Sequence, residues 1–329
     1  MEEKNSLNGG IIDITKPRYD QSTYWGRLKH FSQLTNPLNL LASNAQLQEA
    51  KSLVDNYIAG KSGPVEKERL WQAKTLVDST FHPDTGDKVF LPFRMASFVP
   101  TNVPIIASML IPNPTMAMVV ASQWVNQSAN VAFNYANANK TTPMSTQETL
   151  MAYGAAVVSS CSIALGLNHW VSHRAPVQFR PFLGRTVPFV AVALAGTLNV
   201  YLMRRKELVD GIIVQDKDGN NLGRSPNAGA NAISQVAISR IATAAPALFL
   251  PGLIMSQLEK TTFLKRNPRL NLPLNLVTVS ASLLVALPCA IALFPQVASL
   301  EVNKLEPQFQ NLKDKKGNPI DKVFFNRGL

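Results

Sequence analysis

Residues 122–140 read SQWVNQSANVAFNYANANK. Seven carboxamides crowd this stretch: Gln123, Asn126, Gln127, Asn130, Asn134, Asn137 and Asn139. It closes a run from Met95 to Asn139 that contains no Asp, Glu, Lys or Arg. With an advance of about 100° per residue, all the amides except Asn139 fall inside an arc of about 100°. Val125, Ala129, Ala132 and Ala136 take the far side, with Trp124 and Tyr135 on a flank. The pattern predicts an amphipathic helix over 122–139 whose polar face carries no charge.

The run Met95–Asn139, 45 residues long, is one of five charge-free windows. The others are Thr149–His173 (25 residues), Thr186–Met203 (18), Ile241–Leu258 (18) and Leu270–Leu300 (31). A helix needs about 20 mostly apolar residues to cross a bilayer. Only 16% of the 329 residues are charged, against about a quarter in a soluble domain. Mean hydropathy is a neutral +0.02 because polar terminal regions dilute the average. These features predict an all-α polytopic membrane protein with about five transmembrane helices, near 99–121, 149–169, 186–203, 241–258 and 274–295, in a bundle spanning 95–300.

Ten prolines lie in the windows: Pro100, Pro104, Pro112, Pro114, Pro188, Pro246, Pro251, Pro273, Pro288 and Pro295. Proline removes a backbone donor and kinks or breaks a helix. In lipid the freed carbonyl must be satisfied by protein or face a wet cavity. Proline is also commoner in membrane helices than in soluble ones. Four within the first window favour Pro-broken segments of the kind transporters use.

Residues 1–94 read as a polar, amphipathic helical region. Ala45, Leu47, Ala50, Leu53, Val54, Tyr57 and Ile58 recur at helical spacing up to Gly60. A second helix from Pro64 carries Leu70, Ala73, Leu76 and Val77 on one face. Residues 211–224, GIIVQDKDGNNLG and a following Arg, read as a β-hairpin about Asp218-Gly219. Asp216, Asp218 and Asn220 have a calcium-loop flavour, but the glycine stands at the fourth position instead of the sixth. The tail 301–329 is polar and, after five spans, is expected opposite the N-terminus. Lys and Arg number 19 on the N-terminal side of that topology and 13 on the other, a slight lean towards an N-terminus inside.

Several function classes fall away. The net charge of +11 is scattered between windows, without the contiguous basic stripe of a nucleic-acid partner. Cys161 and Cys289 are isolated and apolar in setting, so neither a disulfide framework nor a metal site is expected. His169 and His173 in HWVSH lack the glutamate of a zinc-protease helix. Asp84-Thr85-Gly86 has no second copy to build a carboxylate dyad. No phosphate-binding glycine loop occurs, so no enzyme activity, cofactor or metal is expected. MEEKNSLNGG is neither a secretory signal nor an Arg-rich transit peptide.

The amide face points to chemistry of its own. A carboxamide offers two donors and an acceptor, so it can meet an ammonium and a carboxylate without burying an unpaired charge. The partner it suits is a small neutral or zwitterionic solute, with the lipid bilayer around the bundle. The substrate-path candidates are Gln123, Asn126, Gln127, Ser128, Asn130, Asn134 and Asn137. The alternative is an interhelical amide ladder. Spans without ionisable residues favour facilitated movement over proton coupling. Ahead of the first span, Asp78, His82, Pro83, Asp84, Thr85, Gly86 and Asp87 form either a gate or a helix-capping turn.

PRYDQSTYWGRLKHF, FHPDTGDKVFLPFRM, QWVNQSANVAFNYANANK, GRTVPF, LNVYLMRRKEL and FFNRGL, in this order over nearly the whole chain, resemble the sideroflexin family. The resemblance implies a multi-pass protein of the mitochondrial inner membrane with an N-terminal region in the matrix. It also implies transport of serine and related small neutral amino acids, feeding one-carbon metabolism, and a link to iron handling. A non-transporting membrane scaffold or assembly factor is the rival reading.

Overall fold

A computed structural model describes residues 12–327 apart from 83–84, 112–113, 138–144, 311 and 314–316, and apart from the side chains at 181, 182, 185 and 188. The N-terminal region contributes α1 (Tyr24–Leu34), α2 (Asn44–Ile58) and α3 (Lys67–Thr80). Ser43 and Gln46 cap α2 reciprocally, which satisfies two of its free amide donors. Ala50 and Val54 of α2 meet Leu70, Trp71 and Ala73 of α3, with Ile14 beside them. The third helix begins at Lys67 with Glu66 as its N-cap, later than Pro64.

Eight more helices follow: α4 (Phe98–Met109), α5 (Met116–Asn137), α6 (Thr146–His173), α7 (Arg180–Met203), α8 (Arg205–Val209), α9 (Pro226–Leu258), α10 (Thr262–Arg266) and α11 (Asn271–Ile291). Helices α4, α5, α6, α7, α9 and α11 pack as a closed ring in which each touches the next and α11 returns to α4. By length and composition α6, α9 and the segment Pro268–Ile291 can cross a membrane. Met95–Met109 and Phe189–Met203 are shorter apolar helices. Buried small residues let the ring close tightly: Ala152, Ala156, Ser160 and Ala164 recur every fourth position on α6, the small-residue spacing that brings membrane helices together.

The window near 99–121 is not one span. Helix α4 stops at Met109 and α5 starts at Met116, so the amide face expected over 122–139 is the continuation of α5. Asn139 lies outside the described residues. Pro104, Pro246, Pro251 and Pro288 all sit inside continuous helices, while Pro114 stands in the gap between α4 and α5.

Three contacts fix which ends lie together. Asn137 Nδ2 at the end of α5 donates to Phe93 O ahead of α4. Lys206 in α8 pairs with Glu148 at the start of α6. Arg27 of α1, buried, donates through Nε to Ala292 O just past α11 at 2.9 Å. The N-terminal region and the chain after α11 therefore share one face of the ring, where opposite faces were expected. The cause is the α4–α5 pair, which goes in and comes back where the charge-free window reads as a single pass.

The all-α expectation fails on that same face. Strands β1 (Ile212–Gln215), β2 (Asn221–Ser225), β3 (Val297–Glu301) and β4 (Lys322–Asn326) form an antiparallel sheet in the order β2-β1-β4-β3. The polar tail thus supplies half of a sheet whose other half is the hairpin. Val214, Ala298, Val323 and Phe325 pack with Val302, Leu305 and Phe309 against Ala228 and Ala232 of α9. The Glu306 carboxylate accepts from Asn227 N and Ser225 Oγ, each at 2.8 Å, which satisfies the start of α9. Around the hairpin turn, Asp216 Oδ1 accepts from the amides of Asp218 and Asn220 and Oδ2 from Asn220 Nδ2. That carboxylate is occupied in holding the turn. Because Phe325 is only 2% exposed, Phe325→Ala is expected to destabilise the sheet by about 3 kcal/mol, read as earlier heat-induced proteolysis of the segment after Ile291.

Candidate functional site

The amide face of α5 changes character along its length. At its far end Gln123, Asn126 and Gln127 are buried. Ser160 of α6 donates through Oγ to Gln123 Oε1, and Gln127 Nε2 donates to Ser160 Oγ at 3.4 Å. This part of the stripe joins two helices. It is incompletely satisfied, because Asn126 Nδ2 and Gln127 Oε1 have no hydrogen-bond partner. Ser128 turns aside, bonded to Trp124 O and to Tyr153 Oη of α6.

Towards the sheet face the amides are half-buried. Asn134 lies 3.9 Å from Met203 Sδ on α7 and accepts from Arg240 Nη2 of α9 at 3.0 Å. Three helices of the ring therefore meet at Asn134. Helices α5 and α7 both run towards the sheet face, and Asn130 and Asn199 each stand one helical turn before the Asn134–Met203 contact. Asn199 is 1% exposed and neither atom of its carboxamide has a partner. A buried polar group left unpaired costs about 1–3 kcal/mol. Asn126, Gln127 and Asn199 thus offer free donors and acceptors among the buried residues of the ring helices.

Arg240 was invisible in the charge-free windows because it stands one residue before Ile241, where the fourth window opens. Only the continuity of α9 shows that its guanidinium reaches the amide face. Two further arginines lie near it. Arg204 follows α7 and pairs bidentately with Glu207, at 2.8 and 2.6 Å, and donates to Arg327 O at 2.8 Å. Arg327, brought in just after β4, is 2% exposed and donates through Nη1 to Ser239 Oγ at 3.2 Å. Burial, then the Arg204 and Arg27 charges, lower its pKa to about 10.

Sideroflexins are the family whose model matches this chain, over residues 13–329. A sideroflexin of Dictyostelium discoideum is 44% identical over 97% of this chain and 98% of its own length. Sideroflexin fsf1 of Schizosaccharomyces pombe is 46% identical over 95% and 97%, and human sideroflexin-3 is 44% identical over 97% and 98%. The chain belongs to the sideroflexin family. No solved structure matches it.

The family's second block, around His82, forms a tight turn between α3 and the approach to α4. His82 N donates to Asp87 O and Gly86 N to His82 O, while Phe81 bridges Lys88. Gly86 holds a left-handed φ of 67°, which glycine adopts freely, and its carbonyl accepts from Lys51 Nζ of α2 at 3.0 Å. Asp87 N donates to Thr85 Oγ1. Asp78 faces elsewhere, paired with Lys74 at 2.6 Å. Pro83 and Asp84 lie outside the described residues. The turn and the amide face occupy separate places, joined through the segment 88–94. His169 and His173 stack at 4.2 Å at the opposite end of α6. Among the described residues no three His, Cys, Asp or Glu come together as a metal site.

Asn199 makes the site's chemistry testable through stability. Because its amide is buried without partners, Asn199→Leu is expected to raise stability by about 1 kcal/mol or more. The check is the thermal unfolding midpoint in detergent, and a lowered midpoint refutes an unpaired amide.

Proposed function

We propose that the protein carries serine and similar small neutral amino acids across the mitochondrial inner membrane, facilitatively, with the N-terminal region and the sheet on the matrix face. One observation carries this reading: buried carboxamide atoms without a hydrogen-bond partner, Asn126 Nδ2, Gln127 Oε1 and both polar atoms of Asn199, with Asn130 and Asn134 following on α5 towards the sheet face. Polar groups are kept unpaired in a bundle at a cost in stability. A transient polar guest that completes their hydrogen bonds gives that cost a use.

Amides match a zwitterion at both ends, since their oxygen accepts from an ammonium and their nitrogen donates to a carboxylate. Such a guest adds no net charge to the bundle. The facilitative character draws on the scarcity of titrating groups along the face, where a proton relay needs them. The orientation draws on charge: with both terminal regions on one face, 20 Lys and Arg of the described residues lie on that side and 7 on the other, with Arg240 at the boundary. Positive residues favour the inner face. The turn from His82 to Gly86 is read as a clasp that sets the angle at which the chain enters α4, near the matrix mouth.

The rival scaffold reading has its own support. Gln123, Ser160 and Gln127 bond to one another in the interior, as an amide ladder that only holds helices does. Uptake of radiolabelled serine into liposomes containing the purified protein separates the two. Wild type is expected to show saturable uptake, and Asn130→Leu/Asn134→Leu to reduce it at least about tenfold with insertion unchanged, a loss of about 1.4 kcal/mol. Uptake no greater than in empty liposomes favours the scaffold; full uptake by the double variant returns the stripe to helix packing.

A further inference from the structure

Three guanidinium groups converge at the sheet-side mouth of the ring with one carboxylate among them. Arg204, Arg240 and Arg327 come from the end of α7, from α9 and from the segment after β4. The Glu207 carboxylate accepts from Arg204 through both oxygens. The Arg204 charge lies within Coulombic reach of both Arg240 and Arg327. Arg27 adds a fourth cation nearby, but its guanidinium is committed to the carbonyls of Gln21, Ser22, Ala292 and Leu293.

The donors are not used up. Arg204 Nη1 and Arg327 Nε are buried and have no acceptor. Among the described residues the Arg240 side chain makes one hydrogen bond, to Asn134 Oδ1, leaving most of its fork open at a half-buried position. A cluster of this kind is unfavourable by itself, because like charges repel and desolvated donors go unmet. An anion with two coplanar oxygens removes both penalties, since the guanidinium fork binds carboxylates bidentately.

We propose that Arg240, backed by Arg204 and Arg327, is the carboxylate subsite of the carried amino acid at the sheet-side mouth. This inference rests on the carrier reading above. The guest's carboxylate docks on Arg240, and its ammonium and side chain then lie towards Asn130 and Asn199, one turn deeper. Asn134 is a positioning residue here, because its oxygen holds the Arg240 fork against α5. The other two arginines supply field: they make the mouth selective for a carboxylate over an uncharged amide of the same size. Glu207 limits that field to a surplus of two charges. Its place depends on Gly229 of α9, where a Cβ atom would stand 2.2 Å from Glu207 O.

The test uses the full-length protein in liposomes with radiolabelled serine. Unlabelled serine is expected to compete at least tenfold better than serinamide, which has the same shape without the carboxylate. Arg240→Gln is expected to raise the KM for serine at least tenfold and to flatten the preference over serinamide, with Arg240→Lys restoring part of both. Equal competition by serine and serinamide in the wild type overturns the subsite and needs no variant that might misfold. An unchanged KM and preference in Arg240→Gln also overturns it, while leaving serine carriage standing. No serine uptake by the wild type overturns the carrier reading itself, and the subsite with it.

Discussion

The hydrogen bond from Arg240 to Asn134 ties α9 to α5 at the end of the ring that faces the sheet. On one side lies a helical ring in which polar groups must find partners within the protein, because hydrocarbon supplies none. On the other lies a sheet domain rich in charge. Arg240 stands at the level where α9 passes from the sheet to the ring, and it needs an acceptor there. Asn134 provides one without placing a negative charge in the bundle. From that contact inwards the amide face grades from half-buried Asn130 to buried Gln127, Asn126 and Gln123, where bonds to Ser160 stand beside atoms left without a partner.

The sheet is the second determinant of the mouth. Helix α9 runs unbroken from Pro226 to Leu258, and its first turns carry Ala228 and Ala232 into the sheet core. The C-terminal strand then carries Arg327 to Ser239. Arg27 ties the N-terminal helices to the carbonyls that end α11. The same face is thus bound by two independent latches from the two ends of the chain, both made of buried arginines bonded mainly to uncharged acceptors. Exposed ion pairs such as Arg69 with Glu49 contribute little by comparison.

Much of this was legible in the residues. The amide arc of Gln123 to Asn137 and the stripes of α2 and α3 follow from the helical period, and the charge-free windows mark α6, α9 and α11. The boundaries were harder. A charge-free window cannot distinguish one helix from two, so the break between Met109 and Met116 was lost, and the side assignment of every later loop went with it. Strand pairing between residues 212–225 and 297–326 is non-local, so the polar composition of the tail hid it. The period-two burial of Val323 and Phe325, flanked by Lys322 and Asn326, was the available signal. The role of Arg240 was hidden for a simpler reason: windows bounded by charges exclude the charge at the boundary.

That exclusion bears on how the site works. If the proposed carrier reading holds, a bundle that takes a zwitterion needs asymmetry, because an amide face treats the two ends of the guest alike. Amides can turn either atom towards either group, so they stabilise passage without fixing direction or orientation. A guanidinium cannot do this, since it only donates. Placing the arginines at one mouth and leaving the interior to carboxamides separates the two tasks. On the proposed reading, the carboxylate is recognised by the half-buried Arg240 fork at the end of the ring, and the interior offers only weak, reversible polarity. A cation at mid-bundle would hold the guest too tightly to release it. A mouth without one would not distinguish an amino acid from its amide.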